Sequence, residues 1–181
     1  MLSLLCQVCD LTSIDQSSSL CVDHQKSLLE VLYWRIRSLP IPSSLEDVEQ
    51  LVDQSTLITQ LYQLALLLFL DRTFVGLIEQ SPKGQELVDK AFALLARLDA
   101  CKVQFPIHII GMEARNDEQR ATVLDLISRT TRNGSSRSLD HCKKILQAVW
   151  ARDDLAHDGD TSYRGRVTSV LRHFSMLPCF L

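Results

Sequence analysis

At 181 residues the chain is long enough for one domain with a substantial hydrophobic core. An apolar fraction of 46% and a charged fraction of 23% exclude a disordered tail. The net charge of −3 excludes a global attraction for nucleic acid: residues 1–60 carry three Lys or Arg against eight Asp or Glu, the remainder 16 against 14, and neither part is strongly basic.

Met1 to Val8 is apolar but too short for a secretory signal and lacks a positive leader. With the polar run Gln16 to Ser19 behind it, residues 1–22 are expected to form a flexible or partly ordered N-terminal segment. Leu28, Leu29, Leu32 and Ile36 lie close to one face at helical spacing and predict a first helix from about His24 to Ser38, ended by Pro40 and Pro42. Ser43 or Ser44 can cap a following segment through Glu46, Asp47 and Glu49, acids that suit the positive end of a helix dipole.

From Leu57 the strongest apolar segment begins, and Leu64 to Leu70 is apolar on every side. Gln63 and Asp71 bracket that run, which falls short of the roughly 20 apolar residues of a membrane span. It reads as a helix buried in the centre of a bundle. Ser81 and Pro82 mark the next start, followed by the stripe Leu87, Ala91, Leu94, Leu95 and Leu98. Pro106 restarts the chain, and Ile107 to Ile110 opens a buried helix ending near Gly111.

Asn116-Asp117-Glu118-Gln119 has the form of a capping box, with Val123, Leu124 and Ile127 facing inwards behind it. Asn133 to Ser136 breaks that helix, and Ser138 can cap another whose buried face is Cys142, Ile145, Leu146 and Val149, with Trp150 at its end. Val167, Val170 and Leu171 suit one further short helix. These signals predict an all-α fold, an irregular bundle of about six or seven helices. A helical regulatory domain is expected over 23–155, with a divergent C-terminal tail at 156–181.

Candidates for chemistry are few. Of six cysteines, Cys6 and Cys9 form a C-x-x-C, half of a zinc site, but no second pair follows at that spacing and Cys21-x-x-His24 is a weak signal. Free thiols in a reducing compartment are the preferred reading, with no metal and no cofactor. Glu113, Arg115, Asp117 and Arg120 crowd a helix junction, yet no nucleophile with a positioned base accompanies them. Ion pairing that braces the junction is favoured over catalysis. His108 reads as a hydrogen-bonded core histidine, and His141 and Cys142, being adjacent, point in different directions on a helix. Trp150 with Asp153 and Asp154 is expected to pack at the bundle edge. Lys143 and Lys144 lack the aromatic stripe that would stack on nucleic acid, and no G-x-S-x-G or phosphate-cradling glycine loop is present. The chain is not expected to be an enzyme.

Phe105-Pro106, Ile110-Gly111, Glu113-Ala114-Arg115, Asp117, Gln119-Arg120, Arg137-Ser138-Leu139 and Trp150 with Asp153-Asp154-Leu155 form one ordered series. In that series the chain resembles the C-terminal regulatory region of fungal zinc-cluster transcription factors, the branch called fungal-specific transcription factor domain 2. The resemblance implies a helical scaffold for regulation in a fungal nucleus, with control of a metabolic gene cluster as in many relatives. It makes Glu113, Arg115, Asp117, Arg120, Trp150, Asp153 and Asp154 framework residues. The implied partners are transcription factors or the transcription machinery, with no membrane and with self-association left open. The family's six-cysteine cluster and its basic linker are absent from this sequence, which argues against direct DNA binding. The alternative expectation is an adaptor or negative regulator acting by protein contacts on a related transcription factor.

Overall fold

The computed structural model describes residues 3–4, 6–7, 19–39, 54–73, 84–132 and 137–155, with 19–25 and 73 described in backbone alone. Among the described residues there are six numbered helices and no strand: α1 Ser19–Arg37, α2 Gln54–Thr73, α3 Gly84–Arg97, α4 Gln104–Gly111, α5 Asp117–Arg132 and α6 Arg137–Leu155. The fold is an all-α bundle, as the periodicity of the sequence predicts. The chain divides into two compact units, Met1–Leu87 and Val88–Leu181.

In the first unit α1 packs on α2. Leu29, Leu32 and Ile36 are buried at the i, i+3, i+7 positions of one helical face. Leu28, expected on that face, is 37% exposed instead. The helix is turned so that Leu28 lies outside with Val31 and Trp34. It also starts at Ser19, five residues ahead of the expected His24. At its other end the Ser38 amide donates to the Trp34 carbonyl at 2.9 Å, and the Ser38 hydroxyl to the Arg35 carbonyl at 3.2 Å.

α2 buries Leu57, Leu61, Tyr62, Ala65, Leu66, Leu67, Leu68 and Leu70, which spread over most of its circumference. No described helix is long and apolar enough to cross a membrane. Gln63 sits inside this apolar surface, 7% exposed, with a specific task. Its Nε2 donates to the Ile36 carbonyl at 2.7 Å and to the Arg37 carbonyl at 3.3 Å. Carbonyls of the last turn have no partner inside their own helix, so a side chain from α2 completes the end of α1.

The second unit is built on α4, α5 and α6, each packed against the other two. α3 buries Val88, Ala91, Phe92 and Leu95, with Leu98 beyond its end. Leu87 and Leu94, expected on this stripe, are only half-buried. Two side chains of α5 hold the connection from α3 to α4. Arg129 donates to the Leu98 carbonyl at 2.6 Å, and the Cys101 amide donates to the Thr130 hydroxyl at 2.9 Å.

All eight residues of α4 are buried. Pro106 stands within its first turn, where an amide would have no intrahelical acceptor, so the missing donor costs nothing. Gln104 reaches across to α6, its Nε2 donating to the Ser138 carbonyl at 3.1 Å. Ser138 therefore lies inside α6 as its second residue and is not the expected cap. α6 buries Leu139, Cys142, Ile145, Leu146, Val149 and Trp150, and α5 buries Val123, Leu126, Ile127 and Thr130. The expected cap at Ser43 or Ser44, the Ser81-Pro82 start, the Asn133 to Ser136 break, the helix near Val167 and the 156–181 tail all lie outside the described residues.

Candidate functional site

Residues of the predicted framework converge where α4 ends and α5 begins. The Met112, Glu113 and Ala114 amides donate in turn to the carbonyls of His108, Ile110 and Gly111, closing α4 with tightened turns. Asn116 then caps α5: its Oδ1 accepts from the Gln119 amide at 2.9 Å. The Gln119 side chain reaches back, but to the Arg115 amide at 2.8 Å, one residue before the cap. The expected capping box is thus present in a shifted form. Asp117 and Glu118 occupy the first turn, where the positive end of the helix dipole favours acids.

One turn into α5, Arg120 projects over α6. Its guanidinium makes paired hydrogen bonds of 2.8 and 2.7 Å to the two carboxylate oxygens of Asp154 and lies 5.7 Å from the centre of the Trp150 ring. Trp150 in turn donates from Nε1 to the Gly111 carbonyl at 2.9 Å. A continuous chain of contacts therefore runs from Gly111 on α4, through Trp150 and Arg120, to Asp154. It clasps three helices at one end of the unit.

The Arg120 bond holds the Asp154 carboxyl below the usual carboxylate range. Arg120 is itself pushed up, first by that hydrogen bond; partial burial opposes, and the charges of Asp154, Asp117 and Asp153 assist. Asp117 approaches Arg120 only to 4.0 Å and is fully solvated, so it contributes at long range. Arg115 is exposed and enters the junction through its backbone amide. Glu113 is buried in the turn, 2% exposed.

One pairing escaped sequence reasoning. His108 Nδ1 lies 3.8 Å from Cys142 Sγ, although 34 residues separate them and both are buried. A Cys–His pair is the beginning of a nucleophilic site only when the thiol ionises. Here burial pushes Cys142 up to about 12 and, with the nearby His141 charge, drops His108 to about 4. Both partners are neutral at pH 7, so the pair is a core contact, not an ion pair primed for attack. Cys101 is likewise pushed up by burial. Cys6 is exposed and free, whereas Cys9 lies outside the described residues. Among the described residues no group of three or more His, Cys, Asp or Glu could hold a metal ion.

The chemistry of this region is therefore that of a braced helical junction. The family described as the fungal specific transcription factor domain matches residues 2–169. The chain is 50% identical over 183 residues to a protein named transcription factor iacI from Pestalotiopsis fici, covering 100% of this chain and 46% of that relative. The chain thus spans about half the length of the curated relative it matches. No solved structure matches it. With the family matching nearly the whole sequence and a relative 50% identical along its full length, the chain belongs to the fungal-specific transcription factor domain family.

Proposed function

We propose that this chain is the regulatory domain of a fungal transcription factor, working in the nucleus through contacts with other transcription factors or the transcription machinery, without catalysis. The observation that carries the reading is its 50% identity along its whole length to a protein named as a transcription factor. The geometry supports it, because the charged residues that drew attention to the α4–α5 junction are engaged in holding helices together and the buried thiol is un-ionised. In this reading the helices within 23–155 form the regulatory body, and the genes controlled belong to a metabolic cluster. The Arg120–Trp150 clasp keeps α4, α5 and α6 in the arrangement that partners recognise.

Tethering the chain to an unrelated DNA-binding domain upstream of a reporter gene tests the proposal. Reporter output is expected to change several-fold against the DNA-binding domain alone, and to return to baseline with Trp150→Ala at equal protein level. Output indistinguishable from the bare DNA-binding domain would defeat the regulatory reading.

A further inference from the structure

The first unit carries an apolar stripe on its outside. On α1, Leu28 is 37% exposed, Val31 49% and Trp34 64%, spaced three residues apart on the face away from buried Leu29, Leu32 and Ile36. Apolar residues at that spacing form a continuous ridge about two turns long. Its C-terminal end is basic: Arg35 and Arg37 are both exposed, and the Arg37 guanidinium lies 5.7 Å from the centre of the Trp34 ring. Beside the stripe, Glu30 is an exposed acid.

Size and charge select the occupant. Three such side chains expose on the order of 300 Å², well under the roughly 800 Å² that each partner of a standard stable interface buries. A symmetric antiparallel copy of α1 centred on Val31 would set Arg35 against Ser27 and Arg37 against Gln25, with Glu30 of the copy, three residues out of register with Arg35, as the exposed acid to answer two cations. A short helix with one apolar edge and acidic flanks matches both features: its apolar side chains cover Leu28, Val31 and Trp34 while its carboxylates meet Arg35 and Arg37. We propose that this face of α1 is a docking surface for an acidic amphipathic helix of another protein. The proposal does not rest on the regulatory reading.

The test uses the whole chain and a 14-residue acetylated peptide with leucine at i, i+3, i+7 and i+10 and glutamate elsewhere, against a peptide with lysine for glutamate. Trp34 is exposed while Trp150 is buried, so coverage of the stripe is read as a blue shift of tryptophan emission. The acidic peptide is expected to give a saturable shift with a dissociation constant on the order of 10–100 μM, as for small transient interfaces. The shift disappears in Trp34→Phe, binding weakens at least tenfold in Val31→Glu and in Arg35→Glu/Arg37→Glu, and the lysine peptide gives no shift. All substituted side chains are exposed, and circular dichroism confirms that each variant is folded. Absence of a shift, or equal binding of both peptides, overturns the proposal. So does a dimer in sedimentation that Val31→Glu dissolves, which would make a second copy the occupant. A Trp34 emission already typical of a buried indole in the free protein overturns it too, because the chain would then cover the stripe itself.

Discussion

Arg120 and Asp154 stand 34 residues apart and meet through two parallel hydrogen bonds of 2.8 and 2.7 Å, with the Trp150 ring beside the guanidinium. The paired geometry suits arginine alone, because its planar fork matches a carboxylate where an ammonium offers a single point charge. Asp154 is solvated, so screening limits what the ion pair contributes. Arg120 also covers an indole, and Arg120→Ala is expected to lower stability by about 1–2 kcal/mol. Arg120→Lys should lose most of the same amount, and Asp154→Asn less than either. The Asp154 carboxyl is held below its unfolded value of about 3.9. Its contribution is therefore complete above that value and fades as the pH falls through the depressed one. Denaturation of wild type and Asp154→Asn should differ at pH 6 and draw together as the pH falls below the ordinary carboxylate range; a gap independent of pH would mean that the ion pair contributes nothing.

Trp150 links the clasp to α4. Its Nε1 donates to the Gly111 carbonyl, which also accepts from the Ala114 amide at 3.2 Å. Trp150→Phe therefore leaves that oxygen with one partner and should cost only about 1–2 kcal/mol. Trp150→Ala removes the ring as well, leaves a cavity and should cost about 3–5 kcal/mol. Urea denaturation separates the two, and equal losses would mean that the indole contributes through its N–H alone.

Gly111 is close to α6 for a reason separate from that hydrogen bond. A Cβ built there would lie 2.7 Å from Leu146 Cδ1 and 3.0 Å from Cδ2, and Leu146 is fully buried one turn before Trp150. The clash is with the end of a side chain that can turn aside, and alanine also suits a helix better than glycine by up to about 1 kcal/mol. Gly111→Ala is accordingly expected to cost about 1 kcal/mol and the branched Gly111→Val about 3 kcal/mol. A double-mutant cycle with Leu146→Ala should show strong coupling; additive losses would place the strain elsewhere.

Much of this arrangement was legible in the sequence, for physical reasons that differ by residue. Asn116 and Gln119 announce a helix start because capping is local, needing only residues a few positions apart. The α4 core was legible because Ile107 to Ile110 has no polar face to present to water beyond His108. The partners of Arg120, Trp150 and His108 were not, because they lie 34 to 39 residues away and depend on how helices cross. Periodicity placed Leu28 inside because the angular difference between Leu28 and Leu29 decides exposure only once α2 is in position. Gln63 looked like the polar boundary of an apolar run, whereas its amide completes the end of a helix 26 residues earlier.

That amide sets a further expectation. Gln63→Leu keeps the apolar volume but withdraws the donor from the Ile36 and Arg37 carbonyls. The Ile36 carbonyl keeps a longer bond of 3.3 Å from the Leu39 amide, so it loses the better of two donors and is not orphaned; the variant should still be less stable, by about 1 kcal/mol, despite its greater hydrophobicity. Hydrogen exchange should quicken first in the last turn of α1. A Gln63→Leu protein as stable as wild type, with unchanged exchange there, would show that water or another group takes over.

The buried His108 gives the second unit an acid sensitivity of its own. In the folded chain burial drops its pKa to about 4, with the His141 charge adding to the effect, whereas an unfolded histidine titrates near 6.5. Between those values the unfolded state binds a proton that the folded state refuses, so stability rises with pH across this window and falls as the solution is acidified. Fully developed, the loss is on the order of 3 kcal/mol, reached near pH 4. The sign is opposite to that of a surface histidine gaining an acidic partner. Denaturation of wild type at intervals from pH 7.5 to 4 should follow this slope, while His108→Gln, less stable at pH 7 but without a titrating ring, should run flatter by one proton. Parallel curves for the two proteins would mean that His108 binds its proton in the folded state and that another group carries the dependence.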